Sequence, residues 1–240
     1  KNLTKFTKLL ALALKLQTAM IGAWRCSAES NSLLVQKLKS SGIIKSDRVM
    51  RAMIETDRGI YSSVRPYDDC PQAIGFGQTI SAPHMHAWAC EYLIDVIPEE
   101  NGKVLDVGCG SGYLTSVLAR ILGPTGKVWG IDYLSPMVEL SETNIKKDDP
   151  KLINSGRVNL SITSGWDGLL EGAPYDAIHV GAAAESIPMK LVQQLKTGGR
   201  MIIPIGPKGQ RQELVKIDST EHGYIKNHLM DVNYVPLVKN

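Results

Sequence analysis

Val104-Leu-Asp-Val-Gly-Cys-Gly-Ser-Gly-Tyr113 runs an apolar, strand-like stretch straight into three glycines spaced two apart, and Asp132 follows twenty positions after the last of them. A buried strand feeding a glycine turn, with an acid closing the next strand (Lys127 to Ile131), constrains the chain to an α/β fold. Such a fold holds a nucleotide-like ligand across its first strand-to-helix turn. Gly108, Gly110 and Gly112 let backbone N–H groups approach that ligand, and Asp132 can accept hydrogen bonds from ribose hydroxyls.

The glycine spacing bears on which ligand. Nicotinamide and flavin binders use G-x-G-x-x-G, whose third glycine packs a helix closely against the sheet and whose helix N-terminus faces a pyrophosphate. Here Tyr113 stands where that glycine belongs. S-adenosylmethionine has no pyrophosphate to neutralise, so a loop opened by Asp106 at the strand end suits its amino acid half and ribose better. A tight turn with a structural aspartate is the plain alternative for the same residues.

At 240 residues, 43% hydrophobic and 21% charged, the chain is sized for one α/β domain with additions. The net charge of +3 is spread without a basic run, which argues against a nucleic-acid partner. Cys26, Cys70, Cys90 and Cys109 form no C-x-x-C pair and no zinc spacing, so a reducing compartment, the cytoplasm, is expected, with the protein as a monomer. Residues 1–19 differ from the rest, with Lys1, Lys5, Lys8 and Lys15 around a short apolar run, Leu9 to Leu14, too short to span a bilayer. A secretory signal, a transit segment or an appended extension all fit, and the fold is expected in residues 20–240.

Ser30 to Leu38 and Ser46 to Ile54 read as two short helices forming an N-terminal layer, with Ser46 as a cap. Tyr61 to Ser81 reads as a long loop that supplies a lid, and Pro83 opens a helix. Then come helix Leu114 to Ile121, strand Lys127 to Ile131, helix Pro136 to Lys146, and strands Val158 to Ile162 and Ala177 to Val180. Helix Met189 to Leu195 and strand Arg200 to Ile205 follow. This alternation predicts a doubly wound, mainly parallel sheet, closed by an antiparallel edge from Glu213 to Ile217 and Tyr224 to Leu237. Ligands in such sheets lie beyond the carboxyl ends of the strands, at Gly108 to Gly112, Asp132, Ser164 to Gly168, and Gly181 to Ala184.

Four segments together are more specific than any of these patterns. They are Ile74-Gly-Phe-Gly-Gln-Thr-Ile-Ser-Ala-Pro-His-Met-His-Ala87, Leu105-Asp-Val-Gly-Cys-Gly-Ser-Gly112, Ala173-Pro-Tyr-Asp-Ala-Ile-His-Val-Gly-Ala-Ala-Ala184 and Gly198-Gly-Arg-Met-Ile-Ile-Pro-Ile-Gly206. They closely resemble the protein-L-isoaspartate O-methyltransferase family, and the likeness runs from about Ala23 to Leu237. The resemblance implies a Rossmann-like, seven-stranded sheet of the class I S-adenosylmethionine-dependent methyltransferase type. It implies transfer of the donor's methyl group to the α-carboxylate of isoaspartyl residues in damaged proteins and peptides, with S-adenosyl-L-homocysteine as product. The ester then collapses to a succinimide whose hydrolysis partly restores aspartyl bonds. Ser81 would position that carboxylate and Thr79 would lie near it. Gly75, Phe76, Gly77 and Gln78 would lie along the cofactor as a lid strand, with His86 beside it. Capping of the Pro83 helix is the structural alternative for Ser81. His84 and His86, two apart on a helix, do not share a face, and no metal is expected. His179 reads as a hydrogen-bonded core residue.

Two departures stand out. The family carries Gly-Asp-Gly after its third strand, its Asp near the adenine amino group, where this chain has Thr163-Ser164-Gly165. With Ser164 and Gly165 in that place, a weaker hold on the cofactor is expected, unless Asp167-Gly168 takes over by a local shift. Animal members continue beyond Tyr-Val-Pro-Leu with a polar tail, whereas this sequence reads Val238-Lys-Asn240, an arrangement expected to open the site to water. These departures keep a second possibility, a catalytically weak adaptor that binds the cofactor.

Overall fold

The computed structural model describes residues 26–239; the basic segment 1–19 lies outside the described residues. An N-terminal layer of two helices, α1 (Asn31–Ser40) and α2 (Asp47–Glu55), precedes a single 3-10 turn at Arg58–Ile60. Both helices begin at serine caps: Ser30 accepts from the Leu33 amide and Ser46 from that of Arg48, filling orphan donors of the first turn. The other end of α2 is closed by a side chain. The buried Asn31 amide donates to the carbonyls of Met53, Ile54 and Thr56 at 2.9, 3.1 and 3.2 Å, groups a helix C-terminus leaves unpaired.

Next come the hairpin β1 (Gln72–Gly75) and β2 (Gln78–Ile80), then α3 (Pro83–Leu93), β3 (Lys103–Val107), α4 (Tyr113–Ile121) and β4 (Lys127–Asp132). They are followed by α5 (Ser135–Asp148), α6 (Lys151–Asn154), β5 (Val158–Ile162), β6 (Tyr175–Val180), α7 (Met189–Gln193), β7 (Leu195–Ile205), β8 (Gln212–Thr220) and β9 (Gly223–Val232). The main sheet has the order β5-β4-β3-β6-β7-β8-β9. The first five strands are mutually parallel, and β8 and β9 close the edge in antiparallel ladders. The expected doubly wound, seven-stranded sheet is therefore present.

Central strands bury both faces, so their apolar residues divide by parity. Val104, Val128, Ala177 and Ile202 face the core shared with α1, α2, α4 and α5. Their neighbours Leu105, Trp129, Ile178 and Met201 face a second core with Leu191 and Val192 of α7. Among the described residues no helix is long and apolar enough to cross a membrane.

Several boundaries depart from expectation. The segment from Tyr61 to Ser81 contains the short hairpin, which lacks the apolar periodicity that marks a strand because most of it is exposed. Strand β7 starts at Leu195, absorbing the end of the expected helix, and β9 ends at Val232. Residues 233–237 instead form a strap, bridged at Ala183↔Pro236 and held by Ala183 N–H to Val235 O (2.8 Å) and Leu237 N–H to Ala183 O (2.7 Å).

Candidate active site

The carboxyl ends of β3, β4 and β6 open onto the glycine turn, and the strap and the β1–β2 hairpin close over them. Gly108, Gly110 and Gly112 all have positive φ, at 79°, 56° and 85°, a backbone that a side chain disfavours. Their jobs differ. Gly108 and Gly110 line the recesses under the strap and hairpin. Gly112 faces away, where a Cβ would lie 3.1 Å from the Ser141 Cα, so it permits the close approach of α4 and α5.

Asp132 is buried at the end of β4 and accepts from the amides of Gly110 (3.2 Å) and Leu134 (3.1 Å). Burial holds its carboxyl above the ordinary range, against the pull of those amides. A carboxylate in this setting keeps free lone pairs for neutral hydroxyl donors such as those of a ribose. Gly165 lines the same recess. A Cβ there would lie 2.6 Å from Leu237 Cδ1 and 2.8 Å from Val107 Cγ1, so a side chain would have to push Leu237 or Val107 aside. An acceptor at Asp132, a backbone cradle at Gly108 and Gly110, and apolar walls at Ile131, Val235 and Leu237 fit the ribose and base of S-adenosylmethionine.

A second recess, for the amino acid half, is walled by Asp106, His86, Tyr113, His179 and Ser111. Asp106 is almost fully committed to the protein: Thr115 Oγ1 donates to its Oδ2 at 2.6 Å and His179 Nδ1 lies 2.8 Å from its Oδ1. It ties β3 to α4 and β6, and His179 is the hydrogen-bonded buried residue expected of it.

Ser81 does not cap α3. Ala82 holds that position and has no side-chain oxygen to cap with; Asp69 Oδ1 accepts from the His84 amide at 3.0 Å. The Ser81 carbonyl instead accepts from Arg58 Nη2 at 2.8 Å, while Arg58 Nη1 lies 3.3 Å from His86 Nδ1. Arg58 is fully buried, and its guanidinium sits 5.2 Å from the Tyr113 ring centroid. Burial pushes its pKa down to about 10, leaving it protonated at neutral pH. A guanidinium only donates, so His86 Nδ1 accepts and the ring proton resides on Nε2. His84 takes a different partner, its Nδ1 lying 2.8 Å from Asp69 Oδ1.

Burial, then the charge of Arg58, holds the His86 pKa well below its ordinary 6.5. A depressed histidine contributes stability above 6.5 that is lost as pH falls, because the unfolded chain then takes up a proton the folded ring refuses. The expected loss from this group is up to about 1.4 kcal/mol per pH unit. Denaturant midpoints between about pH 7 and about pH 5 should fall more steeply in the parent than in His86→Gln, whose carbonyl can still accept from Arg58. Equal slopes would mean that the folded ring takes up the proton too.

Beside the recesses lies a cavity of about 660 Å³, walled by the hairpin residues Gly77, Gln78 and Thr79, by Ser81, Met85 and Tyr133, by Lys208 and Gly209 of the β7–β8 loop, and by Asn233 to Pro236 of the strap. Thr79 and Gly181 border all three spaces, and Ser81 borders the cavity and the amino acid recess. Four expected cofactor residues stand outside these walls: Gly75 and Phe76 at the hairpin tip, Gly112 behind the turn, and Ser164. The Ser164 hydroxyl accepts from the Trp166 amide at 3.3 Å, and Asp167 pairs outward with Lys190 at 2.6 Å, so no local shift brings Asp167 into its place. Arg58, Asp69 and Tyr133 stood in no motif, and Tyr113 and Tyr234 stood in motifs without a site role assigned to them.

The comparisons with known proteins agree with this geometry. A family model described as protein-L-isoaspartate(D-aspartate) O-methyltransferase matches residues 29–240. The chain belongs to this family. A protein-L-isoaspartate O-methyltransferase of Caenorhabditis elegans is 43% identical over 216 residues, covering 90% of this chain and 95% of that one. The Triticum aestivum protein of the same name is 40% identical, covering 88% and 92%. A solved Plasmodium falciparum structure described as a member, in complex with S-adenosyl-L-homocysteine, superposes with a TM-score of 0.82 at 37% identity, covering 89% of this chain and all of that one. The cofactor of this chain is S-adenosylmethionine.

Proposed function

We propose that this chain transfers a methyl group from S-adenosyl-L-methionine to the α-carboxylate of L-isoaspartyl residues in damaged proteins and peptides. The observation that carries the reading is the junction at Thr79, Ser81 and Gly181, where the cofactor recesses meet a cavity wide enough for a peptide segment. When bound, the cofactor supplies a methyl group already activated by its sulfonium charge. The residues have only to hold the acceptor. A backbone α-carboxyl has a pKa of about 3.5 and is ionised at neutral pH, so no general base is needed. Catalysis then rests on orientation, with the Ser81 and Thr79 hydroxyls as donors to the carboxylate. Asp132, Gly108, Gly110 and Gly165 hold the ribose and base, while His86 Nε2–H and the Asp106–His179 wall receive the amino acid end. The protein works as a monomer in the cytoplasm, a reading supported by cysteines without disulfide spacing.

Titrating isoaspartyl and matching aspartyl peptides into the protein loaded with S-adenosyl-L-homocysteine tests this. Binding of the isoaspartyl peptide alone is expected; equal binding of both would defeat the reading. Among the described residues, Lys208, exposed, is the one charged residue lining the peptide cavity. Lys208→Ala is expected to raise KM for the peptide about two- to fivefold at low salt and less at high salt, where screening removes its attraction. A loss independent of salt would assign Lys208 a packing role instead.

A further inference from the structure

The carbonyl of Ser81 is fixed by Arg58, but its hydroxyl rotates unless something fixes it too. The strap supplies a candidate. Tyr234 and Ser81 wall the same cavity, and their side chains approach each other there. The strap is anchored at Tyr234 itself: the buried Gln212 amide accepts from the Tyr234 N–H at 2.6 Å and donates to the Tyr234 carbonyl at 3.3 Å. Gln212 opens β8 within the sheet, so the phenol is presented from a rigid support rather than a free tail.

A serine hydroxyl has one proton and accepts through two lone pairs, whereas an isoaspartyl carboxylate only accepts. If the Ser81 proton is to reach the carboxylate, Ser81 must accept from Tyr234. We propose that Tyr234 is a positioning residue for methyl transfer: its phenol donates to Ser81 Oγ and turns the serine proton toward the substrate carboxylate. Burial pushes the Tyr234 pKa up to about 12, so the donor stays protonated across the working pH range. Each bond in such a chain polarises the next and strengthens the grip on the anion.

The proposal rests on the assignment of Ser81, and a double-mutant cycle separates the two. Tyr234→Phe keeps the ring and removes only the hydroxyl. It is expected to lower kcat/KM for an isoaspartyl peptide about three- to tenfold. It should weaken peptide binding to the protein loaded with S-adenosyl-L-homocysteine to the same extent, and leave that ligand's own affinity unchanged. In a Ser81→Ala background the same change should do nothing further, because Tyr234 acts through Ser81. Tyr234→Phe without effect, or with the same loss in both backgrounds, would overturn the proposal while leaving Ser81 in place. Full activity in Ser81→Ala would overturn the Ser81 assignment and the proposal together.

Discussion

Ser81→Ala is expected to lower kcat/KM for an isoaspartyl peptide by about 10- to 100-fold while leaving the affinity for S-adenosyl-L-homocysteine within about twofold. A hydrogen bond to a charged group contributes about 1.5–3 kcal/mol, which corresponds to that range of rate. The effect should stay with the peptide, because Ser81 borders the peptide cavity and the amino acid recess but not the ribose recess. Steady-state kinetics with ligand titration measures both. A variant as active as the parent would remove Ser81 from the site, and an equal loss in cofactor affinity would make it a cofactor residue.

Arg58→Met is expected to cost about 2–5 kcal/mol of folding stability and most of the activity. Methionine fills much of the volume but donates nothing, so the Ser81 carbonyl and His86 Nδ1 lose their partners in a buried setting. Each unsatisfied buried acceptor costs about 1–3 kcal/mol. Replacing a buried cation by an apolar side chain is often neutral when its partners are replaced as well, but here both acceptors remain. Arg58→Lys should recover only part, since a single ammonium on a flexible stem cannot reproduce the planar fork that reaches both groups. Urea unfolding of the variants measures this, and a change below about 1 kcal/mol would show that water or a shifted side chain replaces the guanidinium.

The sheet was legible because its strands obey simple patterns. Val104, Leu105 and Val107 are apolar with only Asp106 among them, as befits a strand covered on both faces, and the turns after it carry glycine where φ is positive. The turn that lines the recess was legible for the same reason: Gly108, Gly110 and Asp132 sit at fixed offsets from strand ends. What escaped was whatever depends on the chain returning from afar. Arg58 reaches Ser81 and His86 across more than twenty residues with no local signature, and Tyr234, though it opens the Tyr-Val-Pro-Leu run, comes to the Ser81 cavity from beyond β9. Gly112 and Ser164 lie outside the recess walls. Both belong to motifs that imply ligand contact, yet Gly112 serves helix packing and Ser164 closes its own turn. Gly75 and Phe76, which the resemblance places along the cofactor, stand at the hairpin tip outside the recess walls, with Phe76 exposed.

The central claim is methyl transfer to the isoaspartyl carboxylate. Labelled S-adenosyl-L-methionine incubated with a synthetic isoaspartyl peptide or its aspartyl counterpart, and quenched in acid to preserve the ester, tests it most directly. Label on the isoaspartyl peptide alone is the predicted result. Cofactor binding with no label on either peptide would contradict the account and leave the chain as a binding protein built on an enzyme's fold.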